Sequence, residues 1–279
     1  MKLSGAIVGE QAGPADQAID SRWMMAYSAA LGETDARYYD TTARQGVLAH
    51  PLFPVCYEWP LAQPLRNLPA LRPLFSRLLH AQHDLAIHRA PRAGETLRIS
   101  GRIAAVAQRR PGAFVVFRFE ARDAAGALVT VTDFGALYRD VQVEEPRGEG
   151  MAEPPMHQDT LNAVAEIQVA ATAAHTYTEC ARIWNPIHTD IAYARAAGLP
   201  GLILHGTATL ALSVSRVLQA LQGDPAKVRR VRCRFAGMVP LPATLSVHGA
   251  GNGNEISFET RNERGAAVIA RGSILMEAR

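Results

Sequence analysis

Residues 177–221 read YTECARIWNPIHTDIAYARAAGLPGLILHGTATLALSVSRVLQAL. Two histidines are held there by tight local chemistry: Asn185-Pro186 precedes His188, and Gly206 follows His205. Asn-Pro favours a fixed turn, because proline presets φ and the asparagine side chain bonds nearby backbone. Asp190 stands where it can cap a short helix beginning at Ile191. The run from Gly206 to Leu221 is apolar and free of proline, so it predicts a long helix ended by Gly223-Asp224-Pro225. This stretch is the candidate active-site segment.

The same plan occurs earlier in the chain. Tyr27 to Asp40 spans thirteen positions, as does Tyr177 to Asp190. In that register Glu33 answers Ile183, Asp35 answers Asn185 and Tyr38 answers His188. His50-Pro51 then answers His205-Gly206 with a five-residue difference in length, and Phe119 to Gly126 answers Phe258 to Gly265. Three matches in one order imply a duplication. Asp20 can cap a helix from Arg22 to Leu31 that Gly32 ends. Residues 53–80 are cut by Pro54, Pro60, Pro64, Pro69 and Pro73, which predicts helical pieces and not one long helix.

A period of two predicts strands at 83–90, 96–107, 113–123 and 127–140 in the first half. In the second half it predicts strands at 164–174, 228–236, 243–249, 254–262 and 266–277. Residues 1–20 show no clear periodicity. Residues 144–158, rich in Pro, Gly and Glu, read as a linker. The expected division is 1–145, a linker at 146–158, and 159–279. Each half carries one main helical segment followed by an antiparallel sheet, an α+β layout, and two such halves can join edge to edge.

Composition narrows the function. The chain has 279 residues, 48% hydrophobic and 20% charged, with a net charge of +3. Nothing resembles a nucleic-acid module. No run approaches a membrane span and no signal peptide is visible, so a cytoplasmic protein is expected. Three cysteines, Cys56, Cys180 and Cys233, without a CxxC motif argue against a disulfide framework or a zinc site. His80, His83 and His88 have no metal-site spacing, and no metal is expected. Arg229, Arg230, Arg232 and Arg234 alternate with apolar residues, as on a strand with one basic face. That face is either solvated or meets an anionic ligand such as a phosphate-bearing cofactor.

Trp184-Asn185-Pro186-Ile187-His188-Thr189-Asp190, Ala192-Tyr193-Ala194, Ala197 to Pro200 and Leu202 to Gly206 together resemble the MaoC-like, or hydratase 2, members of the hotdog superfamily. The close match covers about forty residues, and the strand pattern extends it over the second half. The resemblance implies two tandem hotdog repeats, each a central helix wrapped by a curved sheet, with the first repeat degraded. It also implies an acyl-CoA or acyl-carrier thioester as substrate, CoA entering only as part of it, and pairing into a homodimer. In that family a carboxylate stands five residues before the histidine of N-P-x-H. Here that position is Ile183, and in the first half Glu33 faces Tyr38, so neither half keeps the pair.

The reading is an enoyl-thioester hydratase/dehydratase, with room for a bulky or branched acyl group. His188 would be the base. Asn185 would hold the water or the substrate, and the Gly206 N–H at a helix head would meet the developing oxyanion. The second proton carrier is open among Asp190, Glu179 and Glu58. Arg232 and Arg234 are the candidates for CoA phosphates, with Trp184 and His205 beside the substrate. Trp184 reads as a packing anchor before a ligand stack, and Cys180 as a buried small residue. The alternatives are a thioesterase or other thioester-modifying enzyme, and a non-catalytic acyl-CoA binding or scaffold protein.

Overall fold

In the computed structural model, which describes residues 1–252 and 254–277, the two halves have matching element orders. The first runs β1 (Gln11–Ala18), α1 (Ser21–Ala30), α2 (Pro54–Arg66), β2 (Leu78–Ile87), β3 (Thr96–Arg109), β4 (Gly112–Arg122) and β5 (Leu128–Arg139). The second runs β6 (Asn162–Val169), α3 (Ala173–Ala181), α4 (Ile191–Ala196), α5 (Gly206–Ala220), β7 (Val228–Phe235), β8 (Ala243–Asn252), β9 (Glu255–Asn262) and β10 (Ala267–Met276). These strands form one sheet in the order β1-β3-β4-β5-β2-β7-β10-β9-β8-β6, with Arg147–Gly148 added beside β3. The order reads the same from either end. The halves meet where β2 and β7 pair antiparallel, with Gln82 opposite Arg234 and Ala86 opposite Arg230.

The buried helices α2 and α5 pack on one face of this sheet, called the inner face below. Helix α5 buries Leu210, Ala211, Val214, Val217 and Leu218. Residues 53–80 form helical pieces as expected, α2 and a 3-10 segment at Arg72–Arg77, but α2 is continuous through Pro60 and Pro64. Each internal proline removes a hydrogen bond and costs about 3 kcal/mol. Burial of Val55, Tyr57, Leu61, Ala62 and Leu65 on this helix offsets that loss.

The expected cap is present: Trp23 N–H donates to Asp20 Oδ1 at 2.7 Å. The turn after each first helix needs left-handed backbone. Gly32 supplies it at φ 67° in the first half, and Arg182 adopts it at φ 58° in the second. The arginine pays about 1–2 kcal/mol there that the glycine does not. Its guanidinium packs over Trp23, 4.1 Å from the ring.

Helices α1 and α3 pack against each other at the local twofold between the halves. The equivalent residues Tyr27 and Tyr177 meet there, both fully or almost fully buried, with hydroxyls 3.5 Å apart. Tyr27 bonds the Leu52 carbonyl, and Tyr177 bonds the Thr207 hydroxyl. The thirteen-residue register is thus realised in space.

One further expectation changes. Residues 11–18, read as aperiodic, form the edge strand β1. An edge strand has one partner and tolerates Pro14, so its sequence signal is weak. Residues of the linker touch the sheet. Met151 is buried against Ala104, Ala105, Phe114 and Val116 on the outer face. The Gln82 side chain bonds the Ala152 carbonyl, and Glu153 meets Arg109, Arg234 and Arg271.

Tyr27→Ala and Tyr177→Ala should each cost about 3–5 kcal/mol in urea unfolding, the usual cost of deleting a buried aromatic ring. A loss below about 1 kcal/mol for both would contradict a central role for this contact.

Candidate active site

Asn185-Pro186 starts a single turn of 3-10 helix, Pro186–His188, after α3. Its counterpart in the first half is the turn Ala36–Tyr38, which Asp35 caps through Arg37 N. His188 Nδ1 donates to the Ile203 carbonyl at 2.9 Å. That bond fixes the tautomer and leaves the lone pair on Nε2. The His188 ring stacks on His205 with centroids 3.7 Å apart and planes 25° from parallel. His205 is buried, lies 4.9 Å from the Tyr177 ring and bonds Thr178 Oγ1 through Nε2 at 3.1 Å.

Burial pushes His188 down to about 4; the Ile203 carbonyl opposes this and the Arg66 charge adds to it. His205 is also lowered by burial, and then by His188. At neutral pH both rings are uncharged. His188 is therefore a neutral imidazole with a fixed orientation.

Gly206 is the first residue of α5, and His205, at the cap position, makes no side-chain capping bond. No acceptor within the helix can reach the N–H groups of its first turn. A Cβ on Gly206 would stand 3.2 Å from the Phe235 ring, a tight contact that glycine avoids. In the first half the equivalent position is Pro51, which has no N–H to offer.

The first-half histidine is also committed internally. His50 Nδ1 accepts from Leu52 N–H at 3.0 Å, and Nε2 donates to Ser215 Oγ at 3.0 Å. Glu33 Oε1 lies 3.6 Å from the same Nε2, and burial raises its pKa. Tyr38, at the position of His188, is buried. This half has a carboxylate but no free base and no helix-head amide.

The second half has the reverse deficit. Ile183 is buried at the carboxylate position. Asp190 caps α4, accepting from Ala192 N at 2.8 Å and Tyr193 N at 3.1 Å. Glu179 is exposed on α3. Glu58 is buried on α2 and accepts from Thr132 Oγ1 at 2.6 Å, and burial pushes it up to about 8. Among the described residues, no carboxylate bonds His188, whose recorded side-chain partner is the Ile203 carbonyl.

His188, His205 and Gly206 are thus brought together, with Asn185 at the start of the His188 turn and its side chain free of any recorded capping bond. Asp190 is spent as a cap. Trp184 is 58% exposed, which corrects its reading as a packing anchor: it follows the turn backbone outward and finds no core to enter. Cys180 is only partly buried, unlike Cys233. Arg232 and Arg234 lie on the outer face, because Val231 and Cys233 point into the core and strand residues alternate. Arg234 faces Glu153 there, at 3.7 Å, so these arginines do not share the surface of His188.

Sequence reasoning missed Arg66, on the last turn of α2, whose charge reaches His188. Nothing local marks this arginine, since the other half of the chain supplies its surroundings. Among the described residues no group of His, Cys, Asp and Glu could hold a metal. Among the described residues no helix is long and apolar enough to cross a membrane.

Residues 153–271 match the MaoC like domain, and residues 6–132 match the FAS1-like dehydratase domain region. The second half of the chain is a MaoC-like domain. Peroxisomal multifunctional enzyme type 2 of Drosophila melanogaster is 31% identical over 203 residues, which cover 70% of this chain and 33% of that protein. The peroxisomal enoyl-CoA hydratase 2 of Arabidopsis thaliana is 33% identical over 89 residues, 31% of this chain and 29% of that one. The chain thus spans about a third of the length of these curated relatives. The MaoC-like dehydratase of Phytophthora capsici superposes with a TM-score of 0.84 at 20% identity, over 98% of both chains. The fold is the α+β double hotdog.

In an NMR titration His188 should stay neutral, in its Nδ1–H tautomer, down to about pH 5, because its pKa lies below the ordinary histidine value. A midpoint near 6.5, or a proton on Nε2 in the neutral ring, would contradict this site geometry.

Proposed function

We propose that the protein adds water reversibly across the double bond of a 2-enoyl thioester of CoA or an acyl carrier, with His188 as the proton carrier. The carrying observation is the His188 Nε2 lone pair, left free by the Nδ1 bond to Ile203, in the same cluster as the helix head at Gly206. The names of the Arabidopsis relative and of the MaoC-like family support the reaction class.

In this reading Asn185 holds a water near His188. The imidazole takes one proton as the water oxygen bonds the β-carbon, and the π electrons move to the thioester oxygen. The Gly206 N–H and the positive end of α5 stabilise that enolate. His188 then returns its proton to the α-carbon. One water is added and no other proton carrier is consumed. A single carrier that takes and returns the proton requires both events on one face of the double bond. The buried isoleucine at position 183 gives this site no carboxylate to share the task.

Ile183 also favours a second reading, in which the site binds an acyl thioester without turning it over. A thioesterase reaction is the third outcome of the same assay. Enoyl absorbance should fall on mixing with crotonyl-CoA, with no thiol released, and His188→Ala should lower kcat/KM by about 10²–10⁴-fold. Thiol release would establish hydrolysis instead. Binding without either signal would establish the non-catalytic reading, and full activity in His188→Ala would exclude the mechanism.

A further inference from the structure

Arg66 is 7% exposed on the last turn of α2. Its guanidinium lies 5.2 Å from the Trp59 ring and 5.0 Å from the Phe75 ring. Among the described residues no carboxylate pairs with it, and its Nε is buried without a hydrogen-bond partner. Stacking on two rings recovers only part of the hydration that burial removes. A buried charge without a counterion is costly, and natural sites of this kind are completed by an anion.

The neighbouring groups also lack partners. The Tyr138 hydroxyl is fully buried and unbonded, as are His80 Nε2 and both nitrogens of His83. His80 and His83 share the inner face although three residues apart, because the β2–β5 register shifts between His80 and Gln82. Their rings are 5.5 Å apart. His80 stacks on Phe134 at 3.7 Å and touches Phe235 at 4.2 Å. Phe235 is the ring that closes on Gly206. Contacts therefore run from the helix head at Gly206 through Phe235 to His80, and Arg66 lies within electrostatic reach of His80. The Arg66 charge is felt by His80 and Tyr138 as well as His188. The row carries hydrogen-bonding groups and one positive charge, and no negative charge balances it.

We infer that the acyl group of the substrate ends in a carboxylate, which Arg66 receives as counterion with the Tyr138 hydroxyl as a further donor. This rests on the hydration reading for the reaction but not for the binding. Arg66 is too enclosed to meet a phosphate at the surface, and the side chains within its electrostatic reach include His80, which contacts the ring that closes on Gly206. The buried groups need an oxygen-bearing ligand, which a hydrocarbon chain cannot supply. A carboxylate presents two oxygens to the planar guanidinium fork.

The probes are glutaryl-CoA and the analogue in which an isopropyl group replaces its carboxylate, with free CoA as a third ligand. Their unsaturated counterparts, glutaconyl-CoA and its isopropyl-ended isostere, are the turnover pair. Calorimetry should favour glutaryl-CoA over the isopropyl analogue by at least about tenfold, the effect of one charge-assisted pair. Arg66→Met should bring that ratio to about one, and Arg66→Lys should keep part of it. If Arg66→Met does not fold, the wild-type ratio decides alone. A wild-type ratio of one or below overturns the inference, as does a ratio that persists in folded Arg66→Met. Free CoA binding as tightly as glutaryl-CoA, with the same loss in Arg66→Met, would assign Arg66 to a phosphate and also overturn it. Carboxylate-selective binding without hydration of either enoyl thioester would sink the hydratase reading and leave this inference standing. Hydration without carboxylate-selective binding would do the reverse.

Discussion

The antiparallel pairing of Leu78–Ile87 with Val228–Phe235 is the constraint on which the rest of the molecule depends. It turns two short sheets into one and removes an exposed edge from each. It also fixes which side chains share the inner face. A slip of one residue would send Arg230, Arg232 and Arg234 into the core and Val231 and Cys233 out of it. On the outer face Asp84 resists that slip by accepting two bonds from Arg230, at 2.8 and 2.7 Å. On the inner face the same register sets His80 of one half against Phe235 of the other. The seam therefore sets a first-half ring beside the second-half ring that closes on Gly206.

Duplication explains what each half lacks. Both keep the tyrosine at the local twofold, the histidine behind it and the single turn that follows the first helix. The first half keeps Glu33 but has used both nitrogens of His50 in its own framework and placed Pro51 where an amide would stand. The second keeps His188 and Gly206 but has filled the carboxylate position with Ile183, packed in the core. An isoleucine there stabilises by burial and holds no proton. Restoring a carboxylate would place a charge at a position the fold now uses for packing.

Much of this was legible in the sequence because it is local. The Asp20 cap, the stop at Gly223, the meander of each half and the matched spacing from tyrosine to aspartate all follow from neighbouring residues. Helix α2 was not legible. Pro60 and Pro64 argue against it locally, and its support comes from core residues distant in sequence. The edge strand β1 was hidden because it has a single partner. For Arg232 and Arg234 the alternation could be read, but not which face held the helices. Arg66 was the least visible. Its importance lies in the rings around it and in the missing counterion, and neither leaves a pattern in the chain.

The central claim is that one neutral histidine, without a carboxylate partner, carries the proton. The most direct measurement is the pH dependence of kcat/KM for enoyl-thioester hydration, which reports ionisations of the free enzyme. A proton-accepting His188 must be uncharged, so activity should be lost only as pH falls through its midpoint of about 4. The profile should be flat from about pH 5 to pH 8. A bell-shaped profile with a second, basic limb inside that range would show a separate acid at work and would contradict the account.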